Sequence, residues 1–236
     1  MNFVSAFTPE RFQEALQVLQ NEFPFAIFET LYSTLLSTLF AIIIGLPLGV
    51  ILVTGEQKGI RPLPKGLMSF LNVFINLLRS VPFIILMVMI IPLTRVIVGT
   101  SVGTMASVVP LTVASFPFIA RLVESSLREL NPNIIETSQS MGASPMQIIL
   151  HVMLPESVPS LITNLTLAIT TIMGYTAMSG AVGGGGLGKL ALAYGYQRYR
   201  YLILYLAVIV LVVITQIIQS FGTWLARKCD KRLRER

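Results

Sequence analysis

The sequence predicts an all-α polytopic membrane protein with five transmembrane helices and a helical hairpin held at one membrane surface. Composition is the first reason. The 236 residues are 54% hydrophobic and only 12% charged, with mean hydropathy +0.76, about half the charge of an ordinary soluble domain. A soluble core could not hide that much apolar surface, and a disordered chain needs the opposite balance. The second reason is length. Residues 30–55, 96–120, 157–188 and 201–226 contain no Asp, Glu, Lys or Arg, and each exceeds the roughly 20 helical residues needed to cross a hydrocarbon core. The third is a polar stretch, residues 131–155, whose helix signals lie too close together for a span.

Residues 1–24 form an outer segment. They open without a basic region, which argues against a secretory signal. Thr8-Pro9 offers a cap and a helix-starting proline. Phe12, Ala15, Leu16 and Leu19 then share a face that excludes Glu10, Glu14 and Glu22, as in a helix lying on a membrane interface; a frayed tail is the alternative.

The membrane region covers residues 25–226, and its first span is residues 30–55. The second is interrupted: residues 80–94 are apolar but too short and are flanked by Arg79 and Arg95. Extending it backward through residues 68–78 completes a span and places Arg79 inside it. Such a charge is costly in mid-bilayer and should face a cavity or a polar partner; snorkelling to the headgroups is the alternative. The third span is 96–120, and the fourth uses part of 157–188, whose terminal glycines form a loop. The fifth, 201–226, leads into a basic tail, residues 227–236.

Orientation follows from the basic residues. Eleven lie on one side: Lys58, Arg61, Lys65, Arg121, Arg128 and six in the tail. Five lie on the other: Arg11, Arg95, Lys189, Arg198 and Arg200. The first side is therefore cytoplasmic, with the N-terminus outside and the C-terminus inside. The net charge of +6 thus belongs to a membrane surface and not to a nucleic-acid groove. One cysteine, Cys229, and one histidine, His151, exclude a disulfide framework and clustered Cys or His metal sites.

Several motifs fail on inspection. Gly183 to Lys189 matches the GxxxxGK of a phosphate-binding loop, but Leu190 stands where a magnesium-binding Ser or Thr is needed. Gly183, Gly185 and Gly188 fit GxGxxG without the strand that pattern requires. Asn164-Leu165-Thr166 is a glycosylation sequon inside a span. His151 has no acid or nucleophile near it in sequence. No catalytic set and no metal site remains, so the chain does not read as an enzyme.

The hairpin is the informative part. Asn131-Pro132 is a cap followed by a helix-starting proline, and Gly142 stands where a C-terminal glycine ends the helix. Ser144-Pro145-Met146-Gln147 begins a second helix with a capping box, and Leu154-Pro155 is expected to stop it. The apolar residues Ile134, Ile135, Met141, Met146, Ile149, Leu150 and Met153 make both helices amphipathic. They suit the docking of a soluble partner, or else packing beneath their own bundle.

Glu136-Thr137-Ser138-Gln139-Ser140-Met141-Gly142-Ala143, followed by Val152-Met153-Leu154-Pro155, resembles the EAA loop of ATP-binding-cassette importer permeases. Thr137-Ser138 replace the family's Ala-Ala with residues that are also small. Longer stretches resemble the methionine-uptake branch: residues 79–86, beginning Arg79-Ser80-Val81-Pro82, residues 98–103, 117–121 and 141–149, and 174–183, which contains Tyr175-Thr176-Ala177-Met178-Ser179. The resemblance implies a coupling-helix hairpin that docks in an ATPase subunit through Glu136, Met141, Gly142, Ala143, Ser144, Pro145, Leu154 and Pro155. It also implies a second copy of the chain, two cytoplasmic ATP-binding subunits that hold ATP and Mg while this chain holds no cofactor, and an extracytoplasmic substrate-binding protein. Function is then import of an amino acid, methionine, across a bacterial inner membrane.

For the translocation pathway the residues of choice are Arg79, Pro82, Tyr175, Met178 and Ser179. Methionine is adaptable against an apolar ligand, and Tyr175 offers a ring and a hydroxyl. Plain packing of Met178, and interhelical hydrogen bonding by Tyr175 and Ser179, are the alternatives. Two rival classes are a secondary amino-acid transporter and a non-transporting membrane scaffold. Ion-coupled transporters usually carry acidic residues within their spans, and the expected spans have none. A scaffold gives no reason for an intramembrane arginine.

Overall fold

Glu22 is the only residue between the first two helices of the computed structural model, which describes residues 9–230. The expected Thr8 cap and residues 231–236 of the basic tail lie outside the described residues. Helix α1 spans Pro9–Asn21 and α2 Phe23–Thr54. Glu22 N–H donates to Val18 O, and Ala26 N–H to Glu22 O, so helical bonding runs across the junction. Pro24 falls in the first turn of α2, where a missing N–H costs nothing. α2 therefore begins before Thr30 and contains Glu29. A charge-free window stops at any carboxylate, whereas a helix tolerates one whose oxygens find partners.

The second expected span is not one helix. α3 (Lys65–Ser80) ends before Val81 and Pro82, both extended, and α4 (Phe83–Met89) begins after them. The α3–α4 pair bends by 104°. Pro82 has no N–H to continue the ladder, and its ring forces the preceding residue out of helical geometry. Four unbroken helices are long and apolar enough to cross a membrane among the described residues, and a fifth crossing requires this bent pair. The third expected span also starts late. Residues 96–98 belong to α5 (Ile91–Val98), which ends at Gly99 with φ +82°. α6 then runs Thr104–Arg128, carrying Arg121 and Glu124 within the helix.

After α6 come α7 (Pro132–Ser140) and α8 (Pro145–Ile148). The stop expected at Leu154-Pro155 does not occur. A π-helical turn, Ile149–Met153, leads into α9 (Leu154–Glu156) and, after Ser157, into α10 (Val158–Ser179). The wider π turn gives room for the Pro155 ring, which in a regular α-helix would meet the carbonyl four residues earlier. α10 ends in a 3₁₀ turn at Gly180–Val182 and the expected glycine loop; α11 (Gly186–Leu190), a π-helical segment (Ala191–Gln197) and α12 (Tyr201–Cys229) follow.

The chain divides into two units that share the four long helices. One holds the described residues up to Thr38 with Pro82–Val113 and Ile169–Ile218; the other holds Leu39–Val81, Ala114–Ala168 and the described residues from Gln219. In the first unit, Ala15, Phe23 and Ala26 pack with Leu187, Leu190, Ala191, Ile203 and Ala207. Only part of the α1 stripe is used: Ala15 is buried, while Phe12 and Leu16 stay exposed. Polar ties flank this core. Tyr194 Oη donates to Glu22 at 2.5 Å, and Arg200 pairs with Glu14 at 3.0 Å. The Glu22 carboxylate holds the Tyr194 phenol above its usual pKa. Thr30, Ser33, Thr34, Ser37 and Thr38 make a buried hydroxyl stripe on α2, and Thr30, Ser33 and Thr38 donate to carbonyls one turn back. That is how a membrane helix buries small polar residues without orphaning them.

In the second unit α2 and α6 touch through Gly45 and Gly49. A Cβ on Gly45 would stand 2.7 Å from Phe116 O, and one on Gly49 2.6 Å from Ala120 O, so the backbones approach closely, as at a GxxxG contact. Leu52, Ile75 and Ala120 form the adjoining core with Leu48, Met68 and Leu71.

Candidate functional site

The hairpin is built by local rules. Asn131 Oδ1 accepts from Asn133 N–H at 3.0 Å and starts α7. At the other end Gly142 N–H donates to Gln139 O, and Ala143 N–H to Ser138 O. These two bonds and the φ of +79° at Gly142 define a Schellman C-cap. The expected capping box is present: Ser144 N–H donates to Gln147 Oε1 at 2.8 Å and Gln147 N–H to Ser144 Oγ at 3.4 Å. The bend at Gly142-Ala143 is thus held by backbone geometry rather than by packing.

Met141 is 83% exposed at the tip, and Met146 and Leu150 are also exposed, whereas Ile149 and Met153 are buried. Met141, Gly142 and Ala143 line one open concavity with Ser138, Gln147, His151 and Val152. Glu136 lies elsewhere, in a cleft with Lys58, Ile135 and Gln139. Leu154 lines an apolar groove with Leu46, Val50, Leu67, Met146 and Leu150, and Pro155 is exposed. Of the eight expected coupling residues, Met141, Gly142 and Ala143 line the concavity, Glu136 the lateral cleft, and Leu154 and Pro155 the root of the hairpin, while Ser144 and Pro145 form the cap and first turn of α8.

An ion network lies in the same unit. Arg121 reaches Glu124 at 2.6 Å, Asn72 Oδ1 at 2.8 Å and Asn76 Oδ1 at 3.0 Å. Arg128 bonds Glu124 at 2.8 Å and Glu56 at 2.5 Å. It ties α3, α6 and the loop after α2 together. The Arg121, Glu124, Arg128 spacing of three and four is a helix-pair signal, overlooked when both arginines are read only as surface charge. Hydrogen bonding from Arg128 holds the Glu56 carboxyl below the usual carboxylate range.

Of the expected pathway residues, Pro82, Tyr175, Met178 and Ser179 fall in the first unit and Arg79 in the second. Phe83, next to Pro82, stacks on Tyr175 with ring centroids 4.7 Å apart and planes 7° apart. Met178 is 47% exposed while Ser179 is 1% exposed, and Ser179 Oγ donates to Thr176 O at 2.7 Å. Ser179 thus turns into the protein and bonds within its own helix, not across to another. Arg79 is exposed at the end of α3.

One residue escaped the sequence reading altogether. Glu29 in α2 accepts from Thr104 Oγ and from Gly186 N–H, the latter at 2.8 Å. A side-chain carboxylate thus meets the glycine run that imitates a phosphate loop. The observation that the spans lack acids fails at this position, although both Glu29 oxygens already have protein partners.

The described residues form long apolar helices with a capped, exposed hairpin between two of them, the framework of a membrane transport permease. The chain belongs to the binding-protein-dependent transport system inner membrane component family, whose model matches residues 45–235. It is 47% identical over 210 residues to the probable D-methionine transport system permease protein MetI of Vibrio cholerae, covering 88% of this chain and 92% of that protein. The solved structure described as inward-facing conformations of the MetNI methionine ABC transporter contains a chain with TM-score 0.85 and 44% identity, covering 86% of this chain and 94% of that one. The fold extends further: a chain of an amino acid ABC transporter superposes with TM-score 0.72 at 17% identity over 97% of this chain and 99% of that one.

Proposed function

We propose that this chain is the membrane permease subunit of an ATP-driven importer that carries methionine into the cytoplasm. The hairpin carries this reading: a bend locked by a Schellman cap and a capping box presents exposed Met141, Met146 and Leu150 to a soluble partner. The 47% identity to a D-methionine permease supports the substrate. ATP hydrolysis belongs to separate subunits. Two copies of the chain would enclose the passage, two cytoplasmic ATPases would bind the hairpins, and an extracytoplasmic binding protein would deliver the substrate. The N-terminus faces outward and Arg227 and Lys228 inward, as the distribution of basic residues supports.

Within the passage, Tyr175 and Met178 supply the substrate-facing surface, Phe83 braces the Tyr175 ring, and Ser179 holds the helix end. Pro82 sets the break that leaves Arg79 exposed, where it guides or screens polar substrate groups. The coupling residues Glu136, Met141, Gly142, Ala143, Ser144, Pro145, Leu154 and Pro155 transmit the motion of the ATPases. Proteoliposomes holding the permease and its ATPase subunit, supplied with the binding protein and a panel of amino acids, test the reading. ATP-dependent accumulation of methionine ahead of the rest of the panel is expected. Uptake independent of ATP would support the secondary-transporter alternative.

A further inference from the structure

We propose that Glu29 is the positioning residue that fixes the glycine loop, residues 183–186, and through it the end of α10 bearing Tyr175, Met178 and Ser179. The proposal rests on the importer reading above and adds a residue to it. An acidic residue in an apolar helix is expensive and persists where it has polar work to do. Both Glu29 oxygens are engaged: Oε1 accepts from the Thr104 hydroxyl at the start of α6, and Oε2 from Gly186 N–H, 2.8 Å away and 157 residues distant in sequence. Its neighbour Thr30 accepts the next N–H, from Leu187 at 2.9 Å. Two consecutive amides at the loop's exit are therefore taken by α2.

The glycines follow from this arrangement. A Cβ on Gly185 would lie 2.1 Å from Thr104 Oγ1 and 2.8 Å from Glu29 Oε1; one on Gly186, already at φ +80°, would lie 2.4 Å from Thr30 Oγ1. The backbone is pressed against the carboxylate and its neighbours, which larger residues would prevent. The loop's entry is tied to α10. Gly184 N–H donates to Ser179 O at 2.9 Å, and Gly183 O accepts from Gly103 N–H at 2.8 Å. Further on, a Cβ on Gly188 would stand 2.2 Å from Ala177 O. A continuous run of contacts thus leads from the Glu29 carboxylate through the loop to the last turn of α10.

The test uses the assembled permease–ATPase complex in proteoliposomes. For a substrate-independent readout, a Leu187→Cys reporter in a Cys229→Ser background is alkylated with maleimide, because position 187 at the loop's exit is buried while the loop is anchored. Glu29→Ala is expected to speed labelling about fivefold and cut methionine transported per ATP hydrolysed about tenfold, the scale of losing charge-assisted hydrogen bonds. Glu29→Gln keeps an acceptor for Gly186 N–H and gains a donor for the Thr104 hydroxyl, so it should restore both readouts to within about twofold of wild type. Thr104→Val removes one of the two contacts and should speed labelling to a lesser degree; it decides the matter if Glu29→Ala does not assemble. Unchanged labelling in Glu29→Ala, or in Thr104→Val when that variant stands alone, overturns the proposal. So does faster labelling with an unchanged ratio of methionine to ATP, which would make Glu29 only a brace. A wild-type complex that carries no methionine refutes the substrate and leaves the labelling to decide the anchor.

Discussion

Gly142 shows how much one backbone angle can decide. Its φ is +79° and no atom lies within 4 Å of a built Cβ, so substitution there is a question of backbone alone. A β-branched residue in the left-handed region costs about 1–2 kcal/mol, whereas Asn visits that region readily. Gly142→Val is expected to leave the purified permease dimeric but unable to retain the ATPase subunit, and Gly142→Asn to keep most of it. Equal retention by both would show that the bend does not set docking. Glu56 makes a smaller, pH-dependent contribution. Arg128 lowers its folded-state pKa, so the stabilisation is complete above the unfolded carboxylate pKa and disappears as pH falls through the lowered value. Both side chains are nearly half exposed, so salt weakens the pair. Thermal scans should find Glu56→Gln slightly less stable than wild type at pH 7, with the difference narrowing as pH falls below the usual carboxylate range.

Among the elements, α2 and α6 meet where neither has a side chain to spare. Gly45-Leu46-Pro47-Leu48-Gly49 is a GxxxG written across a proline, and Val123 Cβ would stand 2.6 Å from any Cβ on Gly49. Gly49→Leu should separate the two helices and cost at least the roughly 1–3 kcal/mol typical of overpacking. A lower melting temperature in detergent is the measurement, with Val212→Ala on the exposed face of α12 as the control. Helix caps were the most legible part of the sequence, because Asn131, Gly142, Ser144 and Gln147 act on residues a turn away. Helix continuity was harder to read. Pro82 and Pro155 look alike in sequence, yet extended geometry surrounds the first and a π turn absorbs the second.

For the molecule as a whole, composition and hydropathy were sufficient to read a multi-span helical bundle, since any apolar chain of this length faces the same solvent problem. Contacts between distant segments were not readable. Glu29 finds Thr104 75 residues away, and Arg121 finds Asn72 49 residues away, separations that no local pattern encodes. Orientation can be checked with the single thiol. Cys229 lies at the end of α12 and is partly exposed. A membrane-impermeant maleimide should leave it unmodified in intact, right-side-out cells and label it after permeabilisation. Labelling of intact cells would reverse the assigned sidedness.

The π turn at Ile149–Met153 has a mechanical meaning. Such a turn is an α-helix carrying one surplus residue, so removing one residue there, for instance the exposed His151, would tighten it towards regular bonding at the expense of crowding the Pro155 ring. The chain before the deletion would rotate by about 100° around the helix axis at that turn and draw in by about 1.5 Å. Such a deletion is a change of phase between the handle and the shaft of a crank. The shortened chain should still insert but melt below wild type, because the regular turn brings the Pro155 ring back against a carbonyl, while its ATPase turns over without moving substrate.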